Sequence, residues 1–158
     1  MKEEVYINFT LDQEEYAIEL IKVKEVVRCK KILGLPNTDS FIRGVINLRG
    51  IIIPVVDLRA KFGMQPSAYT KFTVIIVLEI SNKTMGLIID TVPDVVLLSP
   101  NELQPPPTFK TLINEKYIKR IGRKESRLIV ILDTEQLLLS QRMADSIDPL
   151  YRESCESR

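Results

Sequence analysis

The chain contains no histidine in 158 residues. That excludes a phospho-accepting histidine, a Ser-His-Asp triad, a Cys-His pair and imidazole metal sites within it. Cysteine is almost as scarce. Cys29 and Cys155 are too few for a disulfide framework and lie far apart, which suits a reduced intracellular compartment. Charge of one sign is also lacking: 22 Lys and Arg face 21 Asp and Glu, for a net charge of +1. No global field therefore draws nucleic acid or anionic lipid. No apolar run approaches the roughly 20 residues that a bilayer-spanning helix needs, and the acidic N-terminus MKEEVYINF lacks the apolar core of a signal peptide. There is no Gly-rich phosphate loop and no Gly-x-Ser-x-Gly nucleophile elbow. The expectation is a cytoplasmic protein with no catalytic residues, no cofactor and no metal.

What is present is an ordinary soluble composition, 45% hydrophobic and 27% charged. The length allows one domain, or two small halves sharing a core. The chain is organised around residues 41–63, FIRGVINLRGIIIPVVDLRAKFG. Two β-rich runs, 44–48 and 51–56, flank an Arg-Gly step, and glycine tolerates positive φ, so Arg49-Gly50 reads as a hairpin tip. Pro54 has no backbone donor and is expected at an edge or a bulge. Asp57 can cap a short helix that Gly63 closes after Phe62. Through Asp57 the polar residues are Arg43, Asn47, Arg49 and Asp57 alone. A long cation raised on so apolar a base suits docking better than catalysis.

Elsewhere, 5–11 alternates as a strand, 12–15 is a polar turn and 16–20 a returning strand. IELIKVKEVV is ambiguous in period and reads as a turn of helix near 21–24 followed by a strand through Arg28. Residues 35–38 form a loop, with Asp39 or Ser40 capping a small turn before Phe41. Residues 65–71 are a polar linker, 72–80 a nearly continuous apolar strand, and 85–90 and 92–98 further strands. Pro105-Pro106-Pro107 is a stiff crossover. Two charged strands near 117–122 and 127–132 precede a last helix through about Leu139, capped by Asp133 or Thr134. The polar residues 143–158 are a loosely held tail.

This order contains an echo. IELIKVKEVV aligns with LIIDTVPDVV, pairing Val23 with Val92 and Glu25 with Asp94; IIPVVDLRAKF aligns with LIVILDTEQLL, pairing Asp57 with Asp133. Each half thus repeats a unit of some five strands. So few short strands bury little alone, so each half is expected to curl into a barrel packed on the other, leaving a crevice between them. The fold class is mainly β with short helices. One domain spans 1–142, its intertwined halves dividing near residue 70 (18–70 and 71–142), with the N-terminal strand open to both.

Three function classes compete. The carboxylates Glu25, Asp57, Asp90, Asp94 and Asp133 could serve acid–base chemistry or a metal, but Asp57 and Asp133 are better read as helix caps. Small barrels bind nucleic acid through basic grooves with aromatic platforms. Here the basic run 116–127, KYIKRIGRKESR, holds one aromatic and reads as a solvated hairpin. The third class is protein binding, with Arg49 snorkelling to a carboxylate such as Glu25 and anchoring a partner.

GVINLRGIIIPVVDLRAKFG, with YAIELIKVKEV, MGLIIDTVPDVV and RLIVILDTEQLL in matching order, resembles the CheW family of chemotaxis coupling proteins over about residues 5–139. The resemblance implies two SH3-like five-stranded barrels, no catalytic activity, and an adaptor that bridges the cytoplasmic tip of methyl-accepting chemoreceptors to the regulatory domain of the histidine kinase CheA. It places partner contacts at Val23, Glu25, Gly44, Asn47 and Arg49, and the receptor's helical hairpin tip in the inter-barrel groove. It also implies a stand-alone coupler that inserts in no membrane, binds no nucleic acid, and joins receptor arrays through protein contacts. A coupler of a non-flagellar pathway, or a small nucleic-acid-binding barrel, is the alternative.

Overall fold

Four hairpins form where two polar or small residues separate apolar runs, and their turns share a backbone. Positive φ occurs at Asp12 (49°) and Gln13 (69°), Arg49 (51°) and Gly50 (86°), Ser81 (51°) and Asn82 (65°), and Glu125 (58°). With both central residues at positive φ, the first three are two-residue turns that match the twist of antiparallel strands. The structure, a computed structural model, describes residues 2–29, 31–36, 41–91, 93–106 and 115–139. Among them the strands are β1 Glu4–Leu11, β2 Glu14–Glu19, β3 Val23–Arg28, β4 Ile42–Leu48, β5 Ile51–Asp57, β6 Val74–Ile80, β7 Lys83–Ile89, β8 Asp94–Leu98, β9 Leu103–Gln104, β10 Ile118–Lys124 and β11 Arg127–Leu132. Helices α1 (Leu58–Lys61) and α2 (Thr134–Leu139) follow β5 and β11. The cap expected at Asp39 or Ser40, Pro107 of the proline run, and the tail 143–158 lie outside the described residues.

The strands form two sheets, one ordered β8-β1-β2-β11-β10-β9 and the other β3-β6-β7-β5-β4. Pairing is antiparallel except between β5 and β7 and between β2 and β11. Each sheet curls around its own small core. Ile46, Leu48, Ile53, Val55, Ile75, Val77 and Ile88 fill the five-stranded one; Tyr6, Ala17, Val96, Leu98, Ile129 and Ile131 fill the other. The opposite faces meet in the largest core, where Ile7, Phe9, Leu11, Tyr16 and Ile18 oppose Val74, Ile76, Leu78, Ile80, Leu87 and Ile89. The alternation in β6 explains its apolar run: Val74, Ile76, Leu78 and Ile80 enter the shared core, Ile75 and Val77 the barrel's own, and Glu79 is exposed. Each such side chain contributes about 1.5–3 kcal/mol by leaving water.

Three expectations need correction. The sheets do not divide the chain near residue 70, because β6 and β7 lie with β3–β5, while β1 and β2 lie with β8–β11. Each sheet takes the first hairpin of one repeat and the last hairpin of the other. The crossing strands β3 and β8 make the exchange: β3 pairs with β6, and β8 with β1. A repeat marks a unit of chain, whereas strand pairing is non-local and can swap between units. The two barrels are also unequal, since the two-residue β9 makes one sheet six-stranded. Pro54, finally, is buried in a central strand rather than at an edge or bulge. Its partner Val45 turns both backbone groups away to Leu33. The missing N–H of Pro54 therefore points to the β7 side, where the ladder starts only at Val55.

Candidate partner-binding surface

The β4–β5 turn stands at one end of the five-stranded barrel. The Asn47 side-chain oxygen accepts from the Gly50 N–H at 2.8 Å and fixes the turn. Arg49 then projects with its side chain 67% exposed and pairs with Glu25, which is 25% exposed. Glu25 sits on β3, the opposite edge strand of the sheet, so the ion pair spans the barrel's seam. The hydrogen bond from Arg49 and the charge of Glu25 raise the guanidinium's hold on its proton. A pair this open to water adds little to stability. Its consequence is positional, holding a cation fixed beside half-exposed Ile51.

The other sequence-derived positions divide. Gly44 is buried at φ +141°, and a Cβ there would lie 2.0 Å from the Leu33 carbonyl oxygen. Only glycine lets the chain at Leu33 cross β4 so closely, as the mutual Leu33–Val45 backbone bonds at 2.9 Å show. Val23 is half-buried and packs against the shared core. Glu25, Asn47 and Arg49 thus meet at one tip, while Gly44 and Val23 support it from within.

The carboxylates weighed for catalysis have other work. Asp57 accepts from the Arg59 and Ala60 N–H groups at 2.9 and 3.4 Å and from the Tyr69 hydroxyl at 2.8 Å. Asp133 caps α2 by accepting from the Gln136 N–H at 3.0 Å. The basic hairpin is largely neutralised by the acidic β1–β2 hairpin beside it: Lys119 pairs with Glu19, Arg120 with Glu4 and Arg127 with Glu15, while Lys124 meets Glu102. Four of the six cations in this run are thus paired with carboxylates of their own barrel.

One surface was missed. Val5 faces Leu97 directly across β1 and β8, and Val95 faces Ile7, on the side that packs in the shared core. Beyond that rim, Val95 is 57% exposed, Leu97 43% and Ile21 86%. A cavity of 370 Å³ is lined by Glu4, Val5, Glu19, Leu20 and Ile21. The strip lies where the 3-10 turn Leu20–Lys22 hands the chain from one sheet to the other. In the sequence DVVLL reads as a strand buried on both faces, so nothing there signals that one face runs past the core. Among the described residues no group of three His, Cys, Asp or Glu could hold a metal, and no helix is long and apolar enough to cross a membrane.

Residues 5–142 match the model of the CheW-like domain family. A chemotaxis protein CheW of Klebsiella aerogenes is 38% identical over 139 residues, covering 88% of this chain and 84% of the relative. One from Bacillus subtilis is 32% identical over 135 residues, covering 85% and 86%. The crystal structure of the scaffolding protein TtCheW from Thermoanaerobacter tengcongensis superposes with a TM-score of 0.80 at 35% identity, covering 87% of this chain and 89% of that one.

Proposed function

The chain belongs to the CheW family, and from that premise we propose that it is a non-enzymatic adaptor coupling methyl-accepting chemoreceptors to the histidine kinase CheA in bacterial chemotaxis signalling. The observation that carries the reading is Arg49, an exposed cation that Glu25 holds at an apolar barrel end within a chain matched to the family over residues 5–142. Coupling needs two separate surfaces on one rigid body, because a receptor shifts the kinase equilibrium only if the contact differs between kinase states. The Arg49 tip is one such surface. The apolar strip of Val5, Leu20, Ile21, Val95 and Leu97 is the other, and its length along the barrel junction suits an amphipathic helical hairpin laid in a groove.

In this reading Glu25 and Arg49 touch the regulatory domain of the kinase, Asn47 and Gly44 shape the tip, and Val23 ties β3 to the core. The protein works in the cytoplasm, joined to receptor arrays by protein contacts. Co-sedimentation with receptor-containing membranes and CheA tests it. Wild type is expected to bring the kinase into the pellet, and Arg49→Ala to bring little. Kinase recruited equally by both proteins would remove the tip from the mechanism; recruitment by neither would remove the adaptor reading.

A further inference from the structure

Among the described residues, the ion pair that runs from one sheet to the other is made by Arg59, which neither partner surface uses. Arg59 is on α1, directly after β5 of the five-stranded sheet, and its side chain is 13% exposed. Its Nε donates to both Asp90 carboxylate oxygens at 3.1 and 3.0 Å, and one terminal nitrogen donates to Asp90 at 2.7 Å. The other terminal nitrogen donates to the Gln65 carbonyl at 2.9 Å and pairs with Asp12 at 2.6 Å. Asp90 follows β7 in the same sheet, but Asp12 is in the β1–β2 turn of the other. All three guanidinium nitrogens are engaged. The same short helix reaches across twice more: Lys61 lies 4.0 Å from the Phe41 ring centroid and 5.2 Å from that of Tyr117, and the Phe62 ring packs 6.2 Å from Tyr16 and 6.1 Å from Tyr117.

The shared core is apolar and close-packed, so it holds the two curved sheets near one packing angle, but each of its contacts is non-directional. A planar guanidinium held by carboxylates from both sides is directional and fixes that angle. We propose that Arg59, through Asp12, is the strut that sets the mutual orientation of the two barrels, and thereby the shape of the apolar groove at their junction. The part about the groove rests on the adaptor reading; the part about orientation does not. The counterpart at α2 is a single contact, Glu135 with Lys22 at 3.2 Å between side chains 54% and 27% exposed; Asp12 is also 44% exposed, but Arg59 is 13% exposed and engaged through all three nitrogens, which the α2 pair does not match.

The test introduces nitroxide labels at Glu79→Cys and Arg123→Cys, one on each sheet, in a Cys29→Ser, Cys155→Ser background. Labels at Arg28→Cys and Glu79→Cys, both on one sheet, are the control. Asp12→Gly removes the cross-sheet carboxylate, suits the positive φ of 49° at that turn and leaves Arg59 on Asp90, so the fold is kept. It is expected to broaden the distance distribution between sheets about two-fold, leave the control unchanged, and weaken receptor co-sedimentation about five-fold. Asp12→Glu restores both, and Glu135→Ala, which breaks the pair at α2, changes neither. A between-sheet distribution as narrow as in wild type overturns the strut. Broadening with full receptor binding overturns its link to the groove. Wild type that sediments with no receptor strikes the adaptor reading and leaves the distance result standing.

Discussion

The two sheets are built from one plan, and their differences separate what the fold requires from what function adds. The Asp12-Gln13 turn recurs at Ser81-Asn82, 69 residues on, and the Arg49-Gly50 turn at Glu125-Ser126, 76 residues on. The register shift between Ile42 and Gly44 recurs between Ile118 and Arg120. The Asp57 N–H donates to the Phe41 carbonyl at 2.8 Å, and the Asp133 N–H to that of Tyr117 at 2.8 Å. None of this needs a partner. At the barrel tips the likeness stops. Where one sheet has Arg49 paired with Glu25, the other has Glu125 and Asp94, two like charges. The fold tolerates either, so the charge at a tip is free for recognition.

Changes that violate the close packing of one sheet should separate the two most. Gly44→Ala is expected to cost more than about 3 kcal/mol, because a Cβ 2.0 Å from a carbonyl oxygen is added to a positive φ. Its counterpart Arg120 carries a side chain that reaches Glu4 and the Tyr6 hydroxyl, so the other sheet has no such crossing. Urea denaturation measures this, and a loss under about 1 kcal/mol would show that the chain at Leu33 simply moves aside. Gly86→Ala comes next, at about 1–3 kcal/mol, since the new Cβ would sit 2.6 Å from Ile75 Cγ2 and 2.9 Å from Val55 Cγ1. Its counterpart is the fully buried Ala17, paired with Ile131 as Gly86 is with Val55. A Gly86→Ala variant as stable as wild type would mean that the two barrels are equally filled.

What the sequence made legible were features that depend on neighbours along the chain. The Arg49-Gly50 tip, the Asp57 and Asp133 caps and the apolar β6 all follow from local chemistry. The internal echo pointed to two packed barrels, and the CheW resemblance made them SH3-like. The exchange of hairpins was hidden, because the echo that pairs Glu25 with Asp94 falls on β3 and β8, strands that have already changed sheets. At the site, Arg49 and Glu25 could be paired by charge alone, 24 residues apart. Gly44 could not be told from a contact residue, since its reason is the distant Leu33 carbonyl. Ile21, Val95 and Leu97 stand in apolar runs that carry no sign of an exposed face, and nothing near Arg59 in sequence points to Asp12 or Asp90.

A charge exchange at the tips sharpens the comparison further. Arg49→Glu makes the first tip resemble the second and should abolish kinase co-sedimentation, with little change in stability. Glu125→Arg should leave recruitment intact. If both variants recruit kinase like wild type, tip charge does not distinguish the barrels. If Arg49→Glu also loses several kcal/mol, the pair closes the seam structurally and the loss of binding is secondary.

The smallest expected effect concerns acid. Glu4 is held below the usual carboxylate value of 4.5, first by the hydrogen bond from the Tyr6 hydroxyl and then by Arg120. A carboxyl depressed in the folded state adds stability that is fully present above its unfolded pKa and is lost as pH falls through the folded one. The six-stranded sheet therefore carries an acid-sensitive link, whereas the position 69 residues on in the other sheet is Thr73, which does not titrate. Glu4→Gln should cost about a few tenths of a kcal/mol at neutral pH, because Glu4 is 40% exposed. It should also flatten the decline of stability below the usual carboxylate pKa. Denaturant midpoints for wild type and variant should converge as pH falls. Midpoints that stay parallel down the acid range would place the acid sensitivity elsewhere, with Glu102, lowered by its hydrogen bonds from Ser99, as the next residue to change.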